Sequence, residues 1–344
     1  MNDRKNAHEL TGRLPYMDVM KGILIIMVVF GHIYYALEEY GGLTLDNVTY
    51  NITAFIANVL IAPYYMAAFF FVTGFCSSFK KPITIQIKDD FRQLVLPGFL
   101  ISLIMGLFTT SSGKWVDFVI DMLIKAKVPW FVMSLFWAKL LFRLITDNMK
   151  ATWQHVMVLI ILSVLGCYCM GRFRLYNYLS AFQAFAFVLF VYLGYLAKDK
   201  SYTLNHAHLY GLIFVGLCSV LTLIKYPVPA LCSHITFGLK SCPLFLLLAT
   251  TGTLGVYYIS RIIKENCILE YLGRNSLVIY LTHFAFLIIA SHFIPLIIED
   301  VNESKLTAAA IIIGMLTGSI FWSMLWIQVL NMRYLRWILG KATK

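Results

Sequence analysis

Charged side chains are scarce in this chain. Only 13% of its 344 residues are Asp, Glu, Lys or Arg, and 60% are hydrophobic, whereas a soluble domain carries about 25% charged residues. This shortage excludes an ordinary soluble domain and predicts a polytopic membrane protein. Acidic residues are the scarcer kind, with 17 against 28 basic ones. The basic residues cluster in short loops between apolar runs, a pattern that sets membrane orientation and does not indicate nucleic-acid binding.

Cysteine motifs and a removable leader are also missing. The seven cysteines form no CxxC and no metal-ligand spacing with histidine, so we expect no metal site. For the four cysteines near the predicted outer face we favour buried apolar packing, with a disulfide as the alternative; they are Cys167, Cys169, Cys232 and Cys242. The first apolar run is too long for a signal peptide, and no cleavage site follows it. We therefore expect it to remain as a membrane helix.

Ten apolar runs are long enough to cross a bilayer, or nearly so. They predict an all-α bundle with spans at 17–39, 57–79, 94–111, 129–146, 154–170, 179–197, 208–225, 239–260, 275–296 and 306–330. The chain then divides into an N-terminal segment (1–16), a membrane domain (17–330) and a basic tail (331–344). We expect residues 114–127 to form an in-plane surface helix, because their apolar side chains recur at helical spacing. A re-entrant turn is the alternative.

Loop charges predict the orientation of the bundle. With the N-terminus in the cytoplasm, eighteen Lys and Arg fall on the inner side and eight on the outer side. Since cytoplasmic loops carry the excess of basic residues, both termini are predicted to be cytoplasmic. The stretch from Glu38 to Asn58 contains no Lys or Arg and fits an outer loop.

Two polar residues stand out on the first span, Lys21 and His32. Eleven residues at about 100° each bring them to one helix face, roughly 16 Å apart. Such groups inside a membrane segment are costly and mark functional sites. His32 can accept a proton near neutral pH, and Lys21 can hold a phosphate. The alternatives are a histidine bonded to a neighbouring helix and a simple Asp18–Lys21 ion pair.

These residues carry a family resemblance. Asp18-x-x-Lys21-Gly22, followed by aliphatic residues and Gly31-His32, resembles the first helix of membrane acyltransferase family three. Four further landmarks follow in the family's order, beginning at Tyr65 (YMAAFFFVTGF), Arg92 (RQLVLP), Pro129 (PWFVMSLF) and Leu272 (LGRNSLVIYLTH). The match runs from about residue 13 to 330 and is nearest the fucose 4-O-acetylase-like branch. The family often has Arg where this chain has Lys21, which keeps the charge and loses bidentate geometry.

The resemblance implies an O-acyltransferase of a bacterial inner membrane. Its donor substrate would be cytoplasmic acetyl-CoA or another acyl-CoA, with no bound cofactor, and its acceptor a cell-surface glycan or lipid-linked sugar. Lys21 and Arg92 would bind the donor phosphates, and His32 would act as general base; a transient acyl-histidine is the alternative. No SGNH-type esterase domain follows, so we do not expect hand-off through one.

Other residues are second-tier candidates for support or substrate contact. They are Asp18, Trp130, Tyr280 and His283. The alternative role of each is structural: an ion pair for Asp18, an interfacial aromatic anchor for Trp130, core packing for Tyr280 and a packed, hydrogen-bonded side chain for His283. A transporter or exporter of a polysaccharide intermediate or small molecule is the competing function, because intramembrane charges also serve transport. The oligomeric state stays open.

Overall fold

The computed structural model describes residues 14–126, 128–149, 151–173, 179–199, 207–224 and 242–340. Helices dominate these ranges, and none of them contains a β-strand. The prediction of an all-α polytopic bundle is confirmed. The helices are α1 Pro15–Glu39, α2 Val48–Phe55, α3 Ala62–Cys76, α4 Ile83–Asp90, α5 Leu96–Thr109, α6 Trp115–Ile120, α7 Trp130–Asn148, α8 Thr152–Phe173, α9 Ala181–Asp199, α10 Ala207–Ile224, α11 Cys242–Ile263, α12 Cys267–Arg274, α13 Ser276–Ile297 and α14 Lys305–Leu330.

Within the described ranges, eight helical stretches have the length and composition to cross a membrane. The shorter apolar helices Ala62–Cys76 and Leu209–Leu221 coincide with the second and seventh predicted spans. A π-helical turn at Ile56–Ile61 joins α2 to α3, and another at Phe91–Val95 joins α4 to α5. Helical structure therefore begins earlier than predicted before both the second and the third span. The predicted loop before Asn58 is therefore helical from Val48 onward. Pro97 lies just after the π-helical turn Phe91–Val95, so its missing N–H falls where the regular α-helical hydrogen-bond pattern is already interrupted.

Charges inside the fourth predicted span are held by specific partners. Lys139 on α7 pairs with Asp90 at the end of α4, and both side chains are largely buried. One turn later, Arg143 binds Asp147 at 2.8 Å and donates to the Phe79 carbonyl. Since a buried charge is tolerated only when it is paired and hydrogen-bonded, these contacts explain how α7 carries two cations.

Helix α1 lies at the centre of the bundle, packed against α3, α11, α12, α13 and α14. Its contact with α12 is made backbone to backbone. A Cβ on Gly273 would overlap the Asp18 carbonyl oxygen, and one on Gly22 would overlap the Leu269 carbonyl oxygen. Two glycines therefore let α12 lie directly against the first turns of α1.

Replacing Gly273 with alanine should consequently destabilise the protein. The added methyl group meets backbone that cannot rotate away, and overpacking of this kind costs about 1–3 kcal/mol. The expected result is a clear fall in the melting temperature of the detergent-solubilised protein. Gly314→Ala is the matched control, because no atom lies within 4 Å of the position of its Cβ. Equal melting temperatures for the two variants would contradict the close packing of α12 on α1.

Different contacts are made at the two ends of the bundle. At the end where α1 begins, here called the Pro15 end, Arg261 lies over the Tyr16 ring at 5.6 Å. At the opposite Glu39 end, Asn302 binds the Thr44 carbonyl and the Asp46 N–H. These contacts join the loop after α1 to the loop between α13 and α14.

Cysteine packing agrees with the sequence interpretation. Cys167, Cys169 and Cys242 are free and buried, and the thiols of Cys167 and Cys242 are hydrogen-bonded to each other. Cys232 lies outside the described residues.

Candidate functional site

Helix α1 carries both polar residues that the sequence singled out. It runs without a break from Pro15 to Glu39, so Lys21 and His32 share one helix, as predicted. Lys21 Nζ binds the Asp18 carboxylate at 2.6 Å, and the Asp18 side chain is only 2% exposed. The predicted i,i+3 ion pair is therefore present. Lys21 keeps 21% of its side chain exposed, so its ammonium group is accessible from the Pro15 end.

His32 is half-buried and faces a second histidine. Its Nδ1 lies 2.8 Å from the Val28 carbonyl oxygen and 3.4 Å from Nε2 of His283 on α13. The two ring centroids are 5.2 Å apart. His283 itself is 2% exposed, with its Nδ1 2.9 Å from the Ile279 carbonyl oxygen. The structure thus joins the first and the penultimate long helices through an imidazole pair.

The hydrogen-bond partners assign the tautomers of this pair. A carbonyl oxygen only accepts, so Nδ1 carries the proton in both rings. Nε2 of His283 then has a lone pair and can share the His32 Nδ1–H hydrogen with the nearer Val28 carbonyl oxygen. Nε2 of His32 is left as the basic atom. A neutral imidazole with a free, oriented Nε2 is the arrangement that a general base requires.

Tyr280 and the start of α7 lie beside the histidine pair. The Tyr280 ring centroid is 6.2 Å from that of His283, and its hydroxyl accepts a 3.4 Å hydrogen bond from the Phe131 N–H. Trp130, the preceding residue, is partly buried against the core. The structure therefore brings the second-tier candidates Tyr280 and His283 together with His32, while Trp130 contacts Phe131 beside Tyr280.

Serine and threonine side chains fix α13 against α14 at this level. Ser319 donates to the His283 carbonyl oxygen at 3.2 Å, and Thr282 donates to Ser323 at 3.0 Å. All these side chains are buried. These hydrogen bonds hold the backbone of His283 in place. Nothing in the sequence marks these serine and threonine residues as contacts between two helices.

Arg92 lies on a different element from Lys21 and His32. It lies in the π-helical turn before α5, with an exposed side chain. The short 3₁₀ helix Arg336–Leu339 precedes Gly340, and Gly340 packs against the Arg92 backbone so closely that a Cβ would lie 2.6 Å from its carbonyl oxygen. The residues after α14 therefore cover the backbone beneath Arg92, while its guanidinium group faces outward.

Sequence reasoning missed an aromatic neighbour of His32 and another beside the adjacent Gly31. The Phe284 ring lies edge-on at 5.5 Å from His32, and the Tyr65 hydroxyl lies 3.7 Å from the position of a Cβ on Gly31. Aromatic residues are common in apolar helices, so nothing in their spacing marked these two. Among the described residues no cluster of three potential metal ligands occurs.

The fold and this site define a helical membrane protein with a histidine pair inside its bundle. The family model for the acyltransferase domain of acyltransferase family 3 matches residues 14–326. The chain belongs to that family and is a membrane acyltransferase, which confirms the family predicted from the sequence landmarks. No curated protein and no solved structure matches the chain.

Proposed function

We propose that this protein is an O-acyltransferase of a bacterial inner membrane. It moves an acetyl or similar acyl group from cytoplasmic acyl-CoA to a hydroxyl of a cell-surface glycan or lipid-linked sugar. The Pro15 end faces the cytoplasm, both termini are cytoplasmic, and the fucose 4-O-acetylase-like branch is the nearest within the family. The observation that carries the proposal is the free Nε2 of His32, placed on the same helix as the accessible Lys21.

The donor binds from the Pro15 end in this proposal. Lys21 is partly exposed there, and Arg92 adds an exposed cation in front of α5. Phosphate groups favour such cations. Asp18 neutralises Lys21 while no donor is bound, and the donor phosphates compete with it. The pantetheine arm would then extend along α1 toward His32, roughly 16 Å farther on.

The chemical step uses Nε2 of His32. This atom takes the proton of the acceptor hydroxyl while the hydroxyl oxygen attacks the thioester carbonyl carbon. The resulting tetrahedral intermediate collapses, its C–S bond breaks, and the leaving thiolate takes the proton from the imidazolium. The acyl group ends on the acceptor oxygen and CoA leaves as the thiol. During this step His283 Nε2 shares the hydrogen of His32 Nδ1–H with the Val28 carbonyl oxygen, and together they hold the ring in its reactive orientation.

His283 can be tested as a positioning residue. Its loss should lower kcat about 10- to 100-fold, because a hydrogen bond to a charged group contributes roughly 1.5–3 kcal/mol. The KM for acyl-CoA should stay unchanged in His283→Leu. His283→Gln should keep most of the activity, since its amide oxygen can accept from His32. Equal losses in the leucine and glutamine variants would show that His283 contributes packing alone.

The proposed function itself is tested with wild-type protein in proteoliposomes. Labelled acetyl-CoA is supplied on one side and surface-glycan fractions on the other, and label in the glycan is counted. We expect transfer that depends on both substrates. Movement of glycan across the membrane, followed with a separately labelled glycan fraction, without any CoA-dependent transfer would instead support the transporter hypothesis.

A further inference from the structure

Aromatic side chains connect His32 to the surface at the Glu39 end. The Tyr35 ring stacks on Phe284 with centroids 6.0 Å apart and an interplanar angle of 18°. Tyr40 closes the group, with its ring 5.8 Å from Phe284 and 6.0 Å from Tyr35. Phe284 in turn contacts His32. We call Tyr35, Tyr40 and Phe284 the aromatic mouth. Tyr35 is 37% exposed, so the mouth is open to a ligand.

Polar groups surround these rings. The side chains of Tyr35 and Tyr40 are hydrogen-bonded to each other, and burial, with help from Tyr35 and Glu39, raises the pKa of Tyr40 to about 12. The Tyr40 hydroxyl is therefore protonated at physiological pH and can donate. Glu38 and Glu39 are exposed, and exposed His292 packs its ring 6.5 Å from Tyr40. The mouth thus combines flat apolar faces with hydrogen-bond donors and acceptors.

The two loops joined at the Glu39 end carry acidic side chains. No Lys or Arg occurs in residues 22–79 or 275–304, which include both loops joined at the Glu39 end. The same two stretches supply Glu38, Glu39, Asp46, Glu299, Asp300 and Glu303. An anionic ligand held between these two stretches would meet their carboxylates and no Lys or Arg from either stretch. Bringing like charges together in this way is unfavourable. A wholly apolar ligand would cover the polar groups of the aromatic mouth and leave them without hydrogen-bond partners.

We propose that the aromatic mouth binds a neutral sugar ring of the acceptor, with the ring face on Tyr35 and its hydroxyls bonded to Glu39 and Tyr40. This inference rests on the proposed function and adds the acceptor's binding site, its chemical class and its side of entry. A pyranose ring has an apolar C–H face and a hydroxyl rim, and it matches flat aromatic faces bordered by polar groups. A sugar held there reaches His32 past Phe284 from the end opposite Lys21. Donor and acceptor therefore approach His32 from opposite ends of α1.

The proposal is tested by binding and kinetics with the full-length protein in nanodiscs. The probes are neutral methyl hexopyranosides and the corresponding methyl uronates, first without donor, by saturation-transfer NMR. We expect wild type to bind neutral sugars at least about 10-fold better than uronates. Tyr35→Leu should weaken binding of neutral sugars about 10-fold, and Tyr35→Phe should bind like wild type. Glu39→Gln should reduce the discrimination against uronates.

The matched control is Tyr168→Leu, which removes a similarly exposed tyrosine, 40% exposed, on α8. In acetyl-transfer kinetics, Tyr35→Leu should raise the acceptor KM about 10-fold and leave the acetyl-CoA KM unchanged. The proposal is overturned if wild type binds no sugar in the panel, if uronates bind as well as neutral sugars, or if Tyr35→Leu behaves like Tyr168→Leu. Sugar binding without acetyl transfer would refute the proposed function and leave the mouth standing. Acetyl transfer that is insensitive to Tyr35→Leu would refute the aromatic mouth as the acceptor site and leave the proposed function standing.

Discussion

His32→Ala should lower kcat for acyl transfer by about 10²–10⁴-fold, the contribution that a positioned general base makes. The reason is specific to this ring. Val28 and His283 hold its Nδ1, so Nε2 is the atom available to take the acceptor proton. His32→Gln should be equally impaired, because an amide cannot accept a proton at neutral pH. The measurement is single-turnover transfer from labelled acetyl-CoA in proteoliposomes.

Two controls make the His32 result interpretable. His155 is a partly buried histidine bonded to the Met149 carbonyl oxygen at 3.0 Å, and His155→Gln should retain transfer. Acid-quenched wild-type protein should carry no label, since direct attack leaves nothing on the enzyme; label on His32 would establish the acyl-histidine route. Near wild-type kcat in folded His32→Ala would remove His32 from the mechanism altogether.

Lys21→Ala should raise the KM for acetyl-CoA by about 10- to 100-fold, because a charge-assisted hydrogen bond to phosphate contributes roughly 1.5–3 kcal/mol. The acceptor KM should not change. Lys21→Arg should restore donor affinity, since it keeps the charge and can bind phosphate through two N–H groups. Lys88→Ala removes an exposed lysine from α4, one turn before Arg92, and serves as the control for net charge.

The Lys21 variant also needs a control for stability. Lys21→Ala breaks the ion pair with Asp18, whose side chain is buried. Breaking a buried ion pair is strongly destabilising. The double variant Asp18→Asn/Lys21→Ala removes both charges and should show the same high donor KM with better stability. Asp18→Asn alone should bind donor at least as well as wild type, because the phosphates no longer compete with its carboxylate. An unchanged donor KM in the double variant would rule out Lys21 as a donor ligand.

Local patterns predicted much of the fold and part of the site. The apolar run after Met17 predicted α1, and its residue spacing placed Lys21 and His32 on one helix. The i,i+3 spacing of Asp18 and Lys21 predicted their ion pair. These features depend on neighbours within one or two turns, so the sequence alone contains the information. The start of α2 and the two π-helical turns were missed, because polar residues such as Thr49 and Asn51 resemble a loop when no packing partner is known.

Contacts between distant helices could not be predicted in this way. His32 and His283 are separated by 251 residues in the chain, and the sequence offered His283 only as a second-tier candidate with packing as its alternative. Tyr35 and Phe284 carried no signal at all, because each looks like an ordinary aromatic residue of an apolar helix. Their significance depends on stacking across two helices.

The sequence by itself determined that this chain is a helical membrane protein of an acyltransferase family, with a cation and an imidazole on its first helix. Composition, periodicity and short motifs are properties of single segments, and each span must satisfy its own backbone within the bilayer. The tertiary structure decided which partners His32 Nδ1 has, that His283 lies beside it, and that Phe284 joins His32 to the rings of Tyr35 and Tyr40. Those properties arise only when α1, α7 and α13 pack together, because hydrogen bonds and ring contacts between helices fix them.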